Sequence, residues 1–395
     1  MGGIRSEVLR WARETAGLSL EDAAHAIDLN AARGQSGAER LAALESGAEE
    51  PPRSLLVRMA KVYRRSLLVF YLNAPPKTGD RGQDFRTLPG PDRYNPELDA
   101  LIRDIKGRQG LIKSMLEDAE SEALGFVGSA TPDMPVPILA QSMADHLEFR
   151  LPNFRAEKDA DQAFGYLRSQ IESAGVFVLL LGNLGSHHTN IPVTIFRGFA
   201  ISDKVAPLIV INDQDARSAW SFTALHELAH LWLGNTGISG IDAGVRIEQY
   251  CNDVAGEILV PAAELLAFPK GISFRAAAKE IADFAEQRRV SRAMVSYKLL
   301  RAGLISRPMW SDLSAHIHKE WLGFRERQAN KLRAAEGGPN YFVVRRHRVG
   351  QALLGLVRRS LDEGNITYTK ASRVLGVKPR NVEPLLHSGA MRGGR

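Results

Sequence analysis

The residues of this chain best suited to chemistry lie in the stretch Thr223-Ala224-Leu225-His226-Glu227-Leu228-Ala229-His230-Leu231. On a helix of 3.6 residues per turn, imidazoles four positions apart project from one face, where they can share a tetrahedral ion; zinc suits such a pair. Glu227, beside them, offers a carboxylate able to take a proton from a metal-bound water, which is general-base work in hydrolysis. A hydrolytic zinc site keeps three protein ligands and one open position, so a third ligand must come from elsewhere in the chain.

The helical run from Arg246, which stops at Pro261, supplies three acidic candidates. On a helical wheel Ile247, Cys251, Val254, Ala255, Ile258 and Leu259 cover one arc, and Glu248 falls inside it, whereas Asp253 and Glu257 point the other way. A carboxylate within an apolar arc is costly unless it meets a cation, which makes Glu248 the best third ligand. A carboxylate in a first turn can also serve only the helix dipole. Asn252, one turn on, is placed to orient a ligand from behind. The donor for a developing oxyanion is not identified: His187 and His188 are loop candidates, although adjacent loop histidines are more often simply solvated. Cys251 sits on the apolar side of its helix and reads as packing, not as a nucleophile.

These residues need elements to hold them. Before the motif, Val176–Leu181, Val193–Phe196, Gly198–Ile201 and Leu208–Ile211 read as short strands, and their close spacing favours antiparallel pairing, since parallel pairs need crossover connections. One sheet edge could then hold an extended substrate backbone by strand addition. Helices are expected over roughly Glu97–Leu124, Ile138–Phe149 and Ala160–Ser173, with Gly234, Gly237 and Gly240 breaking the motif helix at its end. Residues 4 to 74 read as several short helices punctuated by Gly17, Ser46-Gly47 and Pro51-Pro52. The organisation expected is 1–76, an all-helical domain closed by Pro75-Pro76; 77–305, the metal domain, which opens through Asp84-Phe85-Arg86-Thr87-Leu88; and 306–395, a basic helical region broken at Gly337-Gly338-Pro339.

The net charge of +6 is uneven. Residues 341–395 hold 11 Lys and Arg against 3 Asp and Glu, an excess of 8 that leaves the remainder near −2. Such a tail suits nucleic acid or an acidic partner, with a solvated basic face as the plain reading. Charges at Arg5, Glu7, Arg10 and Arg13 exclude a secretory signal, no segment approaches a membrane span, and the single Cys251 cannot build a disulfide framework. Cytoplasmic residence is the expectation.

Arg13-Glu14-x-Ala16-Gly17-Leu18-Ser19, Leu44-Glu45-Ser46-Gly47 and the helix from Leu55 to Tyr63 resemble the helix-turn-helix domain of the XRE (Cro/CI-like) repressors. The connection after Ala24 is longer than a tight turn, and the would-be reading helix, Ala38–Leu44, offers only Glu39 and Arg40 to base edges. The alternative is that these helices dock the enzyme or dimerise it, which would give a homodimer. In the tail, Ile366 to Val377 reads as a second helix-turn-helix opening, with Ser372 as the small residue, Gly376 in the turn, and Lys378, Arg380 and Asn381 starting the next helix.

Glu248-x-x-Cys251-Asn252-x-Val254-Ala255-x-Glu257-x-Leu259-Val260-Pro261, following the His-Glu-x-x-His helix, resembles the zinc-peptidase domain of the ImmA/IrrE family. The resemblance implies a gluzincin-like site with His226, His230 and Glu248 as zinc ligands and Glu227 as base. It implies a protein substrate such as a repressor or antitoxin encoded nearby. The fold class expected is α+β and mostly helical: a helix-turn-helix domain, a gluzincin-like domain with a small, mainly antiparallel sheet packed on the motif helix, and a helical C-terminal region. Two alternatives stay open. One is a DNA-binding regulator or antitoxin of a toxin-antitoxin or mobile-element system whose metal domain does not cut; the other is a toxin-neutralising interaction protein.

Overall fold

The structure, a computed structural model, describes residues 4–32, 34–76, 95–185, 189–234, 241–334 and 340–387. Of the sequence features above, Asp84–Leu88, His187, His188, Gly237, Gly240 and Gly337–Pro339 lie outside them. Two compact units are formed: residues up to 76, with 95–104 and the loop residues 183–185 and 189, make the first, and the second takes 105–182 and everything described from 190 onward.

In the first unit, α1 (Ser6–Glu14), α2 (Leu20–Ala26), α3 (Gly37–Glu45) and α4 (Arg53–Val62) are followed by a 3₁₀ turn, Leu67–Tyr71. The helix starts follow from local hydrogen bonding: Ser19 Oγ accepts from the Asp22 amide, and Ser36 and Glu39 form a reciprocal capping box. Leu9, Ile27, Leu41, Leu56, Met59 and Phe70 fill the core. Arg13 meets the buried Glu45 carboxylate through Nε at 2.8 Å and Nη2 at 2.9 Å, a two-pronged pair that ties α1 to the end of α3.

In the second unit come α5 (Pro96–Asp118, counted from Ile105), α6 (Val136–His146), α7 (Leu151–Ala156) and α8 (Ala160–Ser173). Strands β1 (Phe177–Leu180), β2 (Gly198–Ile201) and β3 (Leu208–Ile211) follow, then α9 (Arg217–Leu233) and α10 (Ile241–Leu259). The fold is α+β and mostly helical, with a small mixed sheet in the order β1-β3-β2. Beyond α11 (Ala262–Leu265) lie α12 (Phe274–Gln287), α13 (Arg292–Arg301) and α14 (Arg307–Ala334). The chain ends in α15 (Tyr341–Val349), α16 (Gln351–Asp362), α17 (Tyr368–Leu375) and α18 (Val382–His387).

The sheet departs from the expected pattern in two ways. β2 and β3 pair antiparallel, with Gly198 opposite Ile211, but β1 and β3 run parallel, with Phe177 opposite Leu208. The parallel pair needs no helical crossover because β2 itself occupies the connection, returning the chain through residues 202–207 so that β3 enters between the other two strands. Val193–Phe196 is a turn and not a strand: the amides of Ile195 and Phe196 bond back to the Pro192 carbonyl. The buried Asn212 carboxamide donates to the carbonyls of Ile191 and Phe196, fixing that turn from both sides at 3.0 Å.

The C-terminal helices are seated on α8 and β1. Arg168, buried, pairs with Glu172 one turn away at 2.9 Å and donates to the carbonyls of Val178 on β1 and of His347 and Arg348 on α15. The other Glu172 oxygen accepts from the amides of Gln351 and Ala352, capping α16. Gly350 is required at this crossing, since its φ of +87° and the approach of Arg168 and Glu172 leave no room for a side chain. Burial pulls the Arg168 guanidinium below its ordinary pKa, against the opposing pull of Glu172.

Candidate metal centre

Helix α9 runs through the centre of the second unit, and its residues from Thr223 to Trp232 are buried. Its apolar residues Ala224, Leu225, Leu228, Ala229 and Leu231 face the common core, which leaves His226 and His230 on the remaining side. The helix ends at Gly234, in left-handed conformation at φ +65°. There the last carbonyls are satisfied from outside, Leu231 by the Gly128 amide and Trp232 by the Ala130 amide, both at 3.0 Å. A Cβ on Gly234 would lie 2.7 Å from Gly128 Cα, so two glycines meet where the metal-motif helix stops.

Helix α10 presents the third group. Its apolar side, with Cys251, Val254, Ala255 and Leu259, enters the same core. Tyr250 Oη donates to the Met134 carbonyl at 2.7 Å, and Arg246 pairs with Asp133 at 2.7 Å, fixing the early turns of the helix. Asp253 and Glu257 turn to the far side, where they pair with Arg301 at 3.0 Å and Lys298 at 3.3 Å. Burial pulls the Lys298 ammonium below its ordinary pKa, with Glu257 opposing. Glu248 turns instead towards α9.

The ligand geometry is compact. His226 Nε2 and His230 Nε2 lie 3.0 Å apart, and Glu248 places Oε2 3.3 Å from the first and Oε1 3.3 Å from the second. Ligands bound at zinc distances in a tetrahedron stand about 3.4 Å apart, so the donor set and its spacing fit that ion. Among the described residues this is the group of three able to hold a metal. Both imidazoles are buried, while Glu248 is 31% exposed, so the centre opens to solvent on the α10 side. Asn252 is half-buried one turn after Glu248, and Cys251 is buried in the core.

Glu227 is buried against the sheet beside the two histidines. A Cβ built on Gly198 of β2 would lie 2.6 Å from Thr223 Cγ2, 2.9 Å from Glu227 Oε1 and 3.1 Å from Glu227 Cγ. Strand β2 therefore lies directly on the Glu227 carboxylate, and only glycine allows it. The sequence carried a signal of this, because a lone glycine inside a strand marks close approach of another group. Phe222, half-buried one turn before His226 on the same helix face, puts its ring centroid 6.4 Å from that imidazole and forms an apolar wall beside the ligands.

The remaining sequence-derived candidates lie elsewhere. Arg40, on α3, donates Nη1 to the Asn30 carbonyl at 2.6 Å. Lys378 and Arg380 are exposed and Asn381 half-buried; they do not start the next helix as expected, because Pro379–Asn381 forms a 3₁₀ turn and α18 begins only at Val382.

Two imidazoles a turn apart on one helix, a carboxylate from the next and a glutamate beside the first imidazole form a group of the composition and spacing that can hold one metal ion. Residues 184–300, which contain all four groups, match the family model of the IrrE N-terminal-like domain, a peptidase family. The match supports the ImmA/IrrE resemblance and a metallopeptidase-type hydrolase; it does not reach the N-terminal helices. No curated protein and no solved structure matches the chain. No helix among the described residues is long and apolar enough to cross a membrane.

Proposed function

We propose that the chain is a cytoplasmic zinc-dependent endopeptidase coupled to helix-turn-helix modules, a regulatory protease whose substrate is a repressor or antitoxin-like protein encoded nearby. The observation that carries the reading is the convergence of His226, His230 and Glu248 beside the buried Glu227. His226, His230 and Glu248 would hold zinc, which supplies Lewis acidity and an acidified water. Glu227 takes the proton of the attacking water and returns it to the leaving amine. Asn252 orients the Glu248 side from the next turn. Strand β2, at the sheet edge beside Glu227, offers backbone groups to an extended substrate, and Phe222 offers an apolar surface to one of its side chains.

The test is cleavage of co-expressed candidate partner proteins, followed by mass spectrometry. Zinc-dependent cleavage that disappears in Glu227→Gln while zinc content stays at one per chain supports the reading. A zinc-loaded protein that cuts none of its binding partners would sink it.

A second reading is favoured by the basic tail: a DNA-binding regulator or antitoxin in which the metal domain scaffolds without cutting. Salt-sensitive DNA binding and regulation that persist unchanged in Glu227→Gln would select it.

A further inference from the structure

Two parts of this chain resemble helix-turn-helix folds, and their side chains are used differently. In the first unit, α2 and α3 are joined by residues 27–36, with a bridge between Ala32 and Gln35. The two residues of α3 that base edges could meet are both committed: Glu39 closes the capping box with Ser36, and Arg40 holds the Asn30 carbonyl. Arg13 is likewise consumed by Glu45.

The C-terminal module is built the other way. Ala371, Ser372, Leu375, Val382 and Leu385 are buried between α17 and α18, so the two helices pack through one shared face. Gly376 makes the corner at φ +63°, a left-handed conformation that favours glycine, and the Arg108 guanidinium of α5 lies against it. Two sets of basic side chains stand apart in their contacts. Arg345 donates to the carbonyls of Leu375 and Gly376, Arg346 and Arg358 to those at the end of α18, and Arg348 pairs with Asp213 at 2.6 Å. These hold the module together and to the rest of the unit.

The second group is left in solvent. Arg373, Lys378 and Arg380 are exposed and Lys370 half-buried; among the described residues none of the four forms an ion pair or a side-chain hydrogen bond. From Gly364 to His387 they face one acid, Glu383. They lie on α17 and in the corner and 3₁₀ turn (Pro379–Asn381) that lead into α18, the side a helix-turn-helix turns towards a duplex.

We propose that this chain meets duplex DNA through the α17–α18 face and not through its N-terminal helices. Lys370 and Arg373 sit where they neutralise backbone phosphates, and Lys378, Arg380 and Asn381 lead the element that enters the major groove. Arg380 has the fork that reads guanine, and Asn381 the carboxamide that reads adenine. The proposal is independent of whether the metal centre cuts. The Arg168–Glu172 contact fixes this module to the metal-binding unit, so the protein carries its metal centre onto the DNA it binds.

The test uses the full-length, zinc-loaded protein and a fluorescein-labelled 30-base-pair random-sequence duplex, with anisotropy read from 50 to 200 mM salt. Lys370 and Arg373 on phosphates give a slope of log affinity against log salt of about −1.8, rising to about −3.6 if Lys378 and Arg380 also meet phosphates on a random sequence. Arg373→Gln/Lys378→Gln/Arg380→Gln, all surface changes checked by circular dichroism and zinc content, is expected to weaken binding at least tenfold and to flatten the slope. Arg40→Gln is expected to leave both unchanged. Wild-type binding by the triple variant, loss of binding in Arg40→Gln, or no binding at 50 mM salt would each overturn the proposal. So would tighter binding to the single strand of the same probe.

Discussion

Gly198→Ala isolates the contact between strand and general base. The added methyl would sit 2.6 Å from Thr223 Cγ2 and 2.9 Å from Glu227 Oε1, where non-bonded atoms settle at about 3.5–4.0 Å. Both partners are buried, so the contact is relieved only if one of them shifts against its packed surroundings. An overpacking cost of about 1–3 kcal/mol follows, and Glu227 is displaced from the sheet. Urea denaturation followed by tryptophan fluorescence reads the cost as a shift in midpoint at constant slope. Thr223→Ser removes the clashing methyl and Glu227→Ala the clashing carboxylate. Adding Gly198→Ala to that double variant is therefore expected to cost little, giving a coupling of at least ~0.5 kcal/mol. Zinc content should stay at one per chain, since His226, His230 and Glu248 do not touch β2 through this contact, while cleavage of a partner falls. If the effects simply add, within about 0.3–0.5 kcal/mol, the strand does not confine Glu227 and the reasoning fails.

Other outcomes follow from the same geometry. Glu248→Gln is expected to lose zinc affinity and, with it, the stabilisation of about 2.7 kcal/mol that zinc at a hundredfold excess over its Kd confers; equal melting with and without chelator in the wild type would contradict this. Arg168→Met should cost about 3–5 kcal/mol because Glu172 is left buried without its cation, and Arg168→Met/Glu172→Met should recover part of it, both read by denaturation. Asp203, in the turn between β2 and β3, is raised by burial but held below the ordinary aspartate range by Lys113 at 2.8 Å and by the amides of Ala206 and Val205. The folded chain thus binds this proton more weakly than the unfolded one. Its stabilisation is complete above the ordinary aspartate pKa and disappears as pH falls below it; Asp203→Asn should flatten that acid limb of a stability profile.

The gathering of His226, His230 and Glu248 was legible because its information is local. The four-residue spacing of His226 and His230 and the wheel position of Glu248 depend only on helical geometry. The strand pairing was not legible, because spacing alone does not reveal that β2 can itself serve as the connection between parallel neighbours. Val193–Phe196 has the composition of a strand, but its conformation is decided by Asn212, a residue sixteen positions after Phe196 whose carboxamide bonds give no sequence signature. Arg168 and Glu172 have the four-residue spacing of any exposed helix pair, and the packing of α15 and α16 against them is what buries them. Ser372 and Gly376 did announce the corner of the C-terminal module, since a small buried residue and a left-handed glycine are requirements of the chain's own backbone.

The seating of residues 340–387 on α8 and β1 bears on where this protein can be divided. A fragment ending near residue 305 would contain every ligand of the centre, yet it would leave Arg168 and Glu172 without the carbonyls and amides that satisfy them and would bare the β1 side of the sheet. The contacts of the last helices resemble those of a subunit that is covalently attached. Supplied as a separate chain, they would be expected to rejoin the fragment, and gain or loss of this segment in evolution would require changes at positions 168 and 172 at the same time.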